Sequence, residues 1–466
     1  MYLYRSCFFG PSCQQARKAG IIKWKIISIK MVANSQIKLN TRIELNKEKI
    51  GALALVCLLY YPLLNAGIYA LLNQISPSLL GVLSVMLVGF EGALIYGAVL
   101  AYARNKINVV FSVTICIIIA LLYMATFLFF PENTLVLLGT IRRVLLFCIP
   151  SLLLAYFIDG FDSVWYYLHR FSYVLIICGI LHVISGRIQA NKLNSDYSMW
   201  LGYQLIIPVM VLIWNTALQT RRSGLRIFDL LFFVLGLAII MFYGSRGPLL
   251  VIALYSIYCI YVYHRRKIVG SRHKVLMKFI IIFLFAVFLI MFALAVSNVE
   301  LLSSYLYSIA QDHGIQSRNL MVLSMDNALS YVSGRDVIYA VAIELIKESP
   351  LTGYGLAGDC VQIGRALGKS PDSSAGSYAH NFYLALMLNF GVLVGTALFC
   401  GVVYLFYKKL KVLGECAEKS LLVVLGFCCI SLMFSGNYLT YYPLWLLIGI
   451  TLKRQVKLRG KENVNR

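Results

Sequence analysis

Charged side chains are scarce in this chain of 466 residues: they make up 13% of it, about half the share of an average soluble domain, against 60% hydrophobic residues. That excludes both a disordered polymer and an ordinary soluble globule. Acids are scarcer still, 19 against 42 Lys and Arg, and histidine occurs only six times. Twelve cysteines are present, but most fall in apolar runs (Cys57, Cys116, Cys148, Cys178, Cys259, Cys400, Cys428, Cys429) and none has zinc or iron-sulfur spacing. Thiolate metal chemistry is therefore not expected. Only Cys360 lies in the one long polar loop, which cannot close a disulfide within itself.

What is present is a succession of apolar runs about the 20 residues needed to cross a bilayer. They fall near 50–72, 79–102, 107–130, 136–158, 171–185, 199–218, 227–243, 248–263, 278–297, 381–407, 419–435 and 438–452. This predicts an all-α polytopic membrane protein of about twelve spans; the fifth, seventh, eighth and last two are short for a full crossing. The net charge of +23 is distributed as a topology signal rather than as a nucleic-acid footprint. Ten of the first 49 residues are Lys or Arg, and basic clusters recur at Arg104 and Lys106, Arg221 to Arg226, Arg265 to Lys274, Lys408 to Lys411 and Lys453 to Arg459. With twelve spans, all of these share one side with both termini, which predicts cytoplasmic ends. The expected organisation is a basic segment 1–49, spans 50–297, a large extracytoplasmic loop 298–380 with eight acids and five Lys or Arg, spans 381–452 and a basic tail 453–466. No cleavable signal peptide is expected, and Met31 offers a second start.

Two phosphate-binding look-alikes fail on context. "GYGLAG", residues 353–358, has the dinucleotide fingerprint and a following Asp359, but a helical pattern precedes it where a strand is required. "GRALGKS" from Gly364 is one residue short of a phosphate-binding loop. Both read as turns. His169, His264 and His273 sit among basic residues and read as solvated or interfacial; His182 reads as a hydrogen-bonded packing residue. Glu91 falls in mid-span, a costly position that is functional by default, with a structural role or a protonated carboxyl as the alternative. Trp200, Tyr203, Tyr438, Tyr441 and Tyr442 fit an interfacial aromatic belt, with stacking on sugars as the alternative.

Three polar clusters open helices on the predicted outer face. "YGSRGPLL" places Ser245 and Arg246 in a tight turn before the Pro248 span. "SGRDVIYAVAIELIKESP" has a Ser333–Asp336 start box and an apolar stripe of helical period (Ile338, Val341, Ala342, Leu345, Ile346), with Arg335 in the first turn. This helix is expected on or in the outer membrane face. "SYAHNFYLALML" gives Ser377 as cap and His380 and Asn381 as the doorstep of the tenth span. Arg142 and Arg143, about two turns inside the fourth span, need a polar cavity or an anion to face. Arginines beside helix amino termini suit an anion bearing phosphate, and a histidine beside them can move a proton near neutral pH.

In that order and spacing, "GSRGPLL", "SGRDVIYAVAIELIKESPLTGYGLAGD" and "AHNFYLALMLNFGVLVG" resemble the O-antigen ligase and Wzy polysaccharide polymerase family, and "DYSMWLGYQL" is similar to the outer start of a polymerase span. The resemblance spans roughly residues 195–400. It implies a fold like that of the GT-C glycosyltransferases and a bacterial cytoplasmic membrane enzyme. The implied enzyme is an inverting glycosyltransferase with undecaprenyl-diphosphate-linked glycan as donor and neither cofactor nor metal. Its products would be surface polysaccharides such as lipopolysaccharide O-antigen or capsule. Arg246, Arg335 and His380 match the family's external arginines and loop histidine. Stabilisation of the departing diphosphate then falls to Arg246 and Arg335, with Arg142, Arg143 and Ser245 as further contacts; His380 is the base, and Asn381 orients sugar or histidine. Membrane lipids and the pathway's flippase and chain-length regulator are the implied partners. "SMWLGY" and "SGRD" favour a polymerase over a ligase; a transporter would predict paired broken helices in two halves and charges near the midplane, whereas the sequence shows no internal repeat and its charges cluster at the outer rim.

Overall fold

The computed structural model describes residues 47–72, 80–102, 106–185, 189–190, 196–218, 223–265, 300–312, 314, 317, 321, 335–370, 377–414 and 416–453. Helices dominate, with a two-residue antiparallel ladder, Gln189–Ala190 on Asp196–Tyr197, as a minor addition. In chain order the first eight are α1 (Lys47–Leu72), α2 (Leu80–Tyr102), α3 (Lys106–Phe129), α4 (Pro131–Phe157), α5 (Phe161–Ile184), α6 (Met199–Leu218), α7 (Ser223–Tyr243) and α8 (Arg246–Arg265). Then come α9 (Glu300–Asp312), α10 (Arg335–Glu348), α11 (Gly358–Ala366), α12 (Phe382–Val412), α13 (Ala417–Ile430) and α14 (Tyr442–Leu452). Seven helices among the described residues are long and apolar enough to cross a membrane: α1, α3, α4, α5, α6, α8 and α12. Three shorter apolar stretches, Gly92–Tyr102, Ile227–Tyr243 and Tyr442–Leu452, fall in other expected spans. The expected span near 278–297, Ser333, His273 and the side chains of Glu91 and His264 lie outside the described residues.

The helices divide by what surrounds them. From Ile206 to Leu218 every residue of α6 is buried, whereas α3 leaves Ile107, Val110, Leu121 and Leu128 exposed, the composition of a helix that meets lipid. Around α6 pack α5, α7 and α8, and α14 lies along the second half of α4. Gly449 makes that last approach possible: a Cβ there would sit 2.9 Å from the Ala155 Cβ.

His169 overturns the solvated reading, for it is 1% exposed between α5 and α7. Its Nε2 lies 2.6 Å from Asp229 Oδ1, and Tyr173 donates its hydroxyl to the same oxygen. Asp229 was hidden in an apolar run, and the contact joins two helices 60 residues apart in sequence. Buried ionisable groups survive only when paired in this way.

The expected apolar stripe on α10 packs against protein neighbours. Ala342 joins Ile363 of α11 and Ala385 and Leu388 of α12 in a second, small core, with Ile338, Val341, Leu345 and Ile346 against it. Helical period alone cannot distinguish a protein neighbour from a lipid one.

α12 is broken at Gly391, whose backbone (φ 78°, ψ 168°) is a conformation essentially reserved for glycine. A broken helix in an apolar setting must find partners for its released backbone groups. The segment after α10 supplies them. Tyr354 N donates to Leu388 O (2.8 Å), Gly355 N to Asn389 O (2.9 Å), and Val392 N to Pro350 O (2.7 Å). Gly353 stands so close that a Cβ would be 2.6 Å from Gly391 N. The glycines of "GYGLAG" thus serve backbone-to-backbone contact at a helix break, in agreement with their reading as a turn.

Candidate active site

His380 sits at the end of the segment that leads into α12, in the left-handed backbone region with φ of 52°. For a residue with a Cβ this conformation costs about 1–2 kcal/mol, so its neighbours must hold it. Asn381 does so from one side. Its Oδ1 accepts from Tyr383 N (3.0 Å) and Leu384 N (3.2 Å), capping α12. The cap is therefore Asn381 and not Ser377, which instead is 1% exposed and accepts a 2.8 Å hydrogen bond from Lys369 Nζ. Asp359, at the first turn of α11, is fully enclosed; burial raises its pKa, against hydrogen bonds from the Asn389 side chain and from the backbone of Ala379 and Cys360. Asp359 N donates to Asn389 Oδ1 (2.9 Å), which ties α11 to α12.

The imidazole stacks on Tyr378, ring centroids 4.0 Å apart at 40°. Burial and then the positive charges of Arg335 and Lys369 push its pKa down to about 4. His380 is consequently neutral near pH 7, and its buried Nδ1 has no hydrogen-bond partner among the described residues. Of the expected cations, Arg335 is thus near enough for its charge to act on the histidine. Lys369 joins it without having been singled out as a site residue; its signal in the sequence is its place in "GRALGKS", eleven residues before His380.

Tyr378 also forms part of the wall of a cavity of about 560 Å³. One face of α4 (Val136, Thr140, Arg143) and the opening turns of α6 (Trp200, Tyr203, Gln204) supply two walls, and the α13–α14 connection with Asn437 and Tyr441 a third. Arg143 stands immediately before a π-helical turn, Val144–Cys148, the kind of widened turn that often accompanies a functional side chain. Arg142 is exposed and does not line the cavity.

Arg246, exposed at the start of α8, is carried by a turn that rests on α6: Gly202 comes so close that a Cβ would lie 3.1 Å from Gly244 Cα and 3.3 Å from Ser245 N. The same turn presses Gly247 on the Tyr203 hydroxyl, behind the cavity wall. Ser245 is buried, with its Oγ lacking a hydrogen-bond partner among the described residues. The structure therefore groups His380, Arg335 and Lys369, and links them through Tyr378 to a cavity bearing Arg143. It sets Ser245 and Arg246 against that cavity's α6 wall.

The aromatic residues expected as a belt belong largely to this interior. Trp200, Tyr203 and Tyr441 line the cavity. Tyr442 donates to Gln204 (3.1 Å) and Tyr438 accepts from Asn389 (2.8 Å). His182 packs on Trp200, ring centroids 5.6 Å apart.

No group of three or more His, Cys, Asp or Glu among the described residues could hold a metal. Residues 231–400 match the family model described as O-antigen ligase. No curated protein matches the chain.

Proposed function

We propose that this chain, a member of the O-antigen ligase family through residues 231–400, is a membrane glycosyltransferase that extends a glycan carried on undecaprenyl diphosphate, acting as a polymerase on the outer face of the cytoplasmic membrane. Family membership supports a role of ligase or polymerase type in polysaccharide assembly. What carries the catalytic reading is one observation: a half-buried histidine at the mouth of a helix, in ring contact with Tyr378, which walls a cavity.

The chemistry follows from charge. In the reaction the acceptor hydroxyl gives its proton to His380 as its oxygen bonds to the anomeric carbon of the donor sugar. The bond from that carbon to the diphosphate oxygen breaks, and its electron pair leaves with the diphosphate. Arg335 and Lys369, with Arg246 across the α6 wall, supply charge-assisted hydrogen bonds to that leaving group. Attack from the opposite face inverts the anomeric centre. The bound diphosphate also cancels the repulsion between His380 and its cations, raising the basicity of the imidazole when substrate is in place.

A ligase reading, with transfer to a lipid A core sugar or another acceptor, is favoured by the description of the matching family model. Deleting the gene and resolving surface glycan and lipid-linked intermediates on a gel separates the two. Accumulation of single lipid-linked repeats indicates a lost polymerase. Long lipid-linked chains that never reach a final acceptor indicate a lost ligase, and an unchanged profile rejects both. His380→Ala and Arg335→Ala are expected to insert and fold yet abolish activity; full activity in either removes that residue from the mechanism.

A further inference from the structure

We infer that the cavity beside Tyr378 is a carbohydrate subsite, taking a sugar ring of the acceptor glycan rather than the isoprenoid chain or the diphosphate. The word "acceptor" rests on the glycosyltransferase reading above; the sugar specificity rests on the cavity itself.

A prenyl chain would call for walls of aliphatic side chains. Here the aliphatic and thioether lining amounts to Leu135, Val136 and Met199, and the rest of the lining other than glycine is aromatic, hydroxylic, amide or guanidinium. Ring faces of Trp200, Tyr203 and Tyr378 offer flat apolar surface with a polar edge, matching the two-sided character of a pyranose. Ligand sites of this size, typically about 300–1,000 Å³, combine such faces with a few fixed polar groups.

The polar groups are fixed. Gln204 Oε1 accepts from the Tyr442 hydroxyl (3.1 Å), which sets the orientation of the amide. Asn437 Oδ1 accepts from Leu439 N (2.9 Å), which does the same on the opposite wall. Both amide nitrogens are thereby assigned as donors; Asn437 Nδ2 gives one hydrogen to Cys360 Sγ (3.6 Å) and keeps a second, so Gln204 and Asn437 each retain a donor suited to sugar oxygens. No carboxylate lines the cavity, and one cation does, Arg143. The cations grouped with His380, Arg335 and Lys369, are absent from the lining. A diphosphate belongs with them, whereas the hydroxyl that His380 deprotonates arrives from the chamber walled by its stacking partner, Tyr378.

The test uses purified full-length protein in lipid nanodiscs, titrated with methyl glycosides of glucose, galactose, N-acetylglucosamine and rhamnose, and separately with farnesyl phosphate and inorganic diphosphate. Intrinsic fluorescence is the readout, with Trp200→Phe to identify the signal. At least one glycoside is expected to give a saturable change that Trp200→Phe removes. Gln204→Glu and Asn437→Asp keep the acceptors that Tyr442 and Leu439 use; Asn437→Asp also gives up the contact to Cys360 Sγ, so Gln204→Glu is the cleaner of the two, and both are expected to weaken that glycoside at least fivefold. The inference is overturned if no glycoside saturates, if both isosteric variants bind as tightly as wild type, or if farnesyl phosphate or diphosphate competes for the Trp200 signal. Because binding is read without turnover, the subsite can fail while the gel assay still supports the enzyme, and the reverse.

Discussion

Gly391→Ala tests whether the break in α12 is required. The native backbone there, φ 78° and ψ 168°, costs a residue with a side chain roughly 1–3 kcal/mol. The new Cβ would also collide with the Leu351 carbonyl. Relief requires the 350–355 segment to retreat, which gives up the pairings of Tyr354 N, Gly355 N and Val392 N at 2.8, 2.9 and 2.7 Å. At about 1 kcal/mol each these add about 3 kcal/mol, for a local loss of roughly 4–6 kcal/mol. Gly401→Ala in the same helix is the matched control. It has nothing within 4 Å of its Cβ position and should gain about 0.5–1 kcal/mol from helix propensity. Heating a fluorescent-protein fusion in detergent and following the monodisperse peak on size exclusion reads both. Gly391→Ala is expected to melt well below wild type and to lose surface polysaccharide, with Gly401→Ala at or slightly above it. If the two variants melt together and make equal polysaccharide, the break is dispensable and the argument from paired carbonyls is wrong.

Five further outcomes are expected. A His380 pKa lowered to about 4 keeps the unliganded enzyme's base neutral to low pH, so the acid limb of kcat/KM in a nanodisc assay lies nearer 4 than 6.5. Lys369→Ala removes a like charge, favours the protonated form and moves that limb upward; an unmoved or lowered limb would contradict the electrostatic account. The same shift makes the unfolded chain bind more protons between about pH 4 and 6.5, so thermal stability should rise as pH increases across that window, and this slope should flatten in His380→Gln. Asn381→Ala should cost about 0.5–2 kcal/mol as a lost helix cap, seen as a lower melting temperature with activity falling further than stability explains. Asp229→Asn retains shape but removes charge from the bonds to His169 and Tyr173, at about 1.5–3 kcal/mol, read in the same melting assay with catalytic pH dependence unchanged.

Much of the architecture was legible because lipid selects composition. Runs of apolar residues and the Lys and Arg beside them are read without knowing any contact, and helices α1 to α8 and α12 to α14 begin or end near the runs that predicted them. The amphipathic stripe of α10 was equally plain. Its neighbours were not, since the pattern is satisfied by lipid or by α11 and α12 alike. His169 was misread for a related reason: nearby basic residues say where a helix end lies, but the partner that buries it, Asp229, is 60 residues away. At the site, titratable residue types at helix starts marked His380 and Arg335. Lys369 carried no such mark, and the cap went to Asn381 because the chain turns one step before α12, a backbone event no side-chain pattern encodes. The cavity is the least legible part, being made by walls from four separate stretches of the chain.

The backbone stitch between residues 350–355 and Gly391 also fixes what can be exchanged between relatives. A chimera that imports the 350–360 turn alone would carry amides cut for another helix's carbonyls, and both pieces would lose their closures. One that imports residues 335–412 together brings donors and acceptors as a matched set. Loop and helix therefore form a single cassette, and recombination or directed evolution that respects its ends should preserve insertion while varying the chemistry at the mouth.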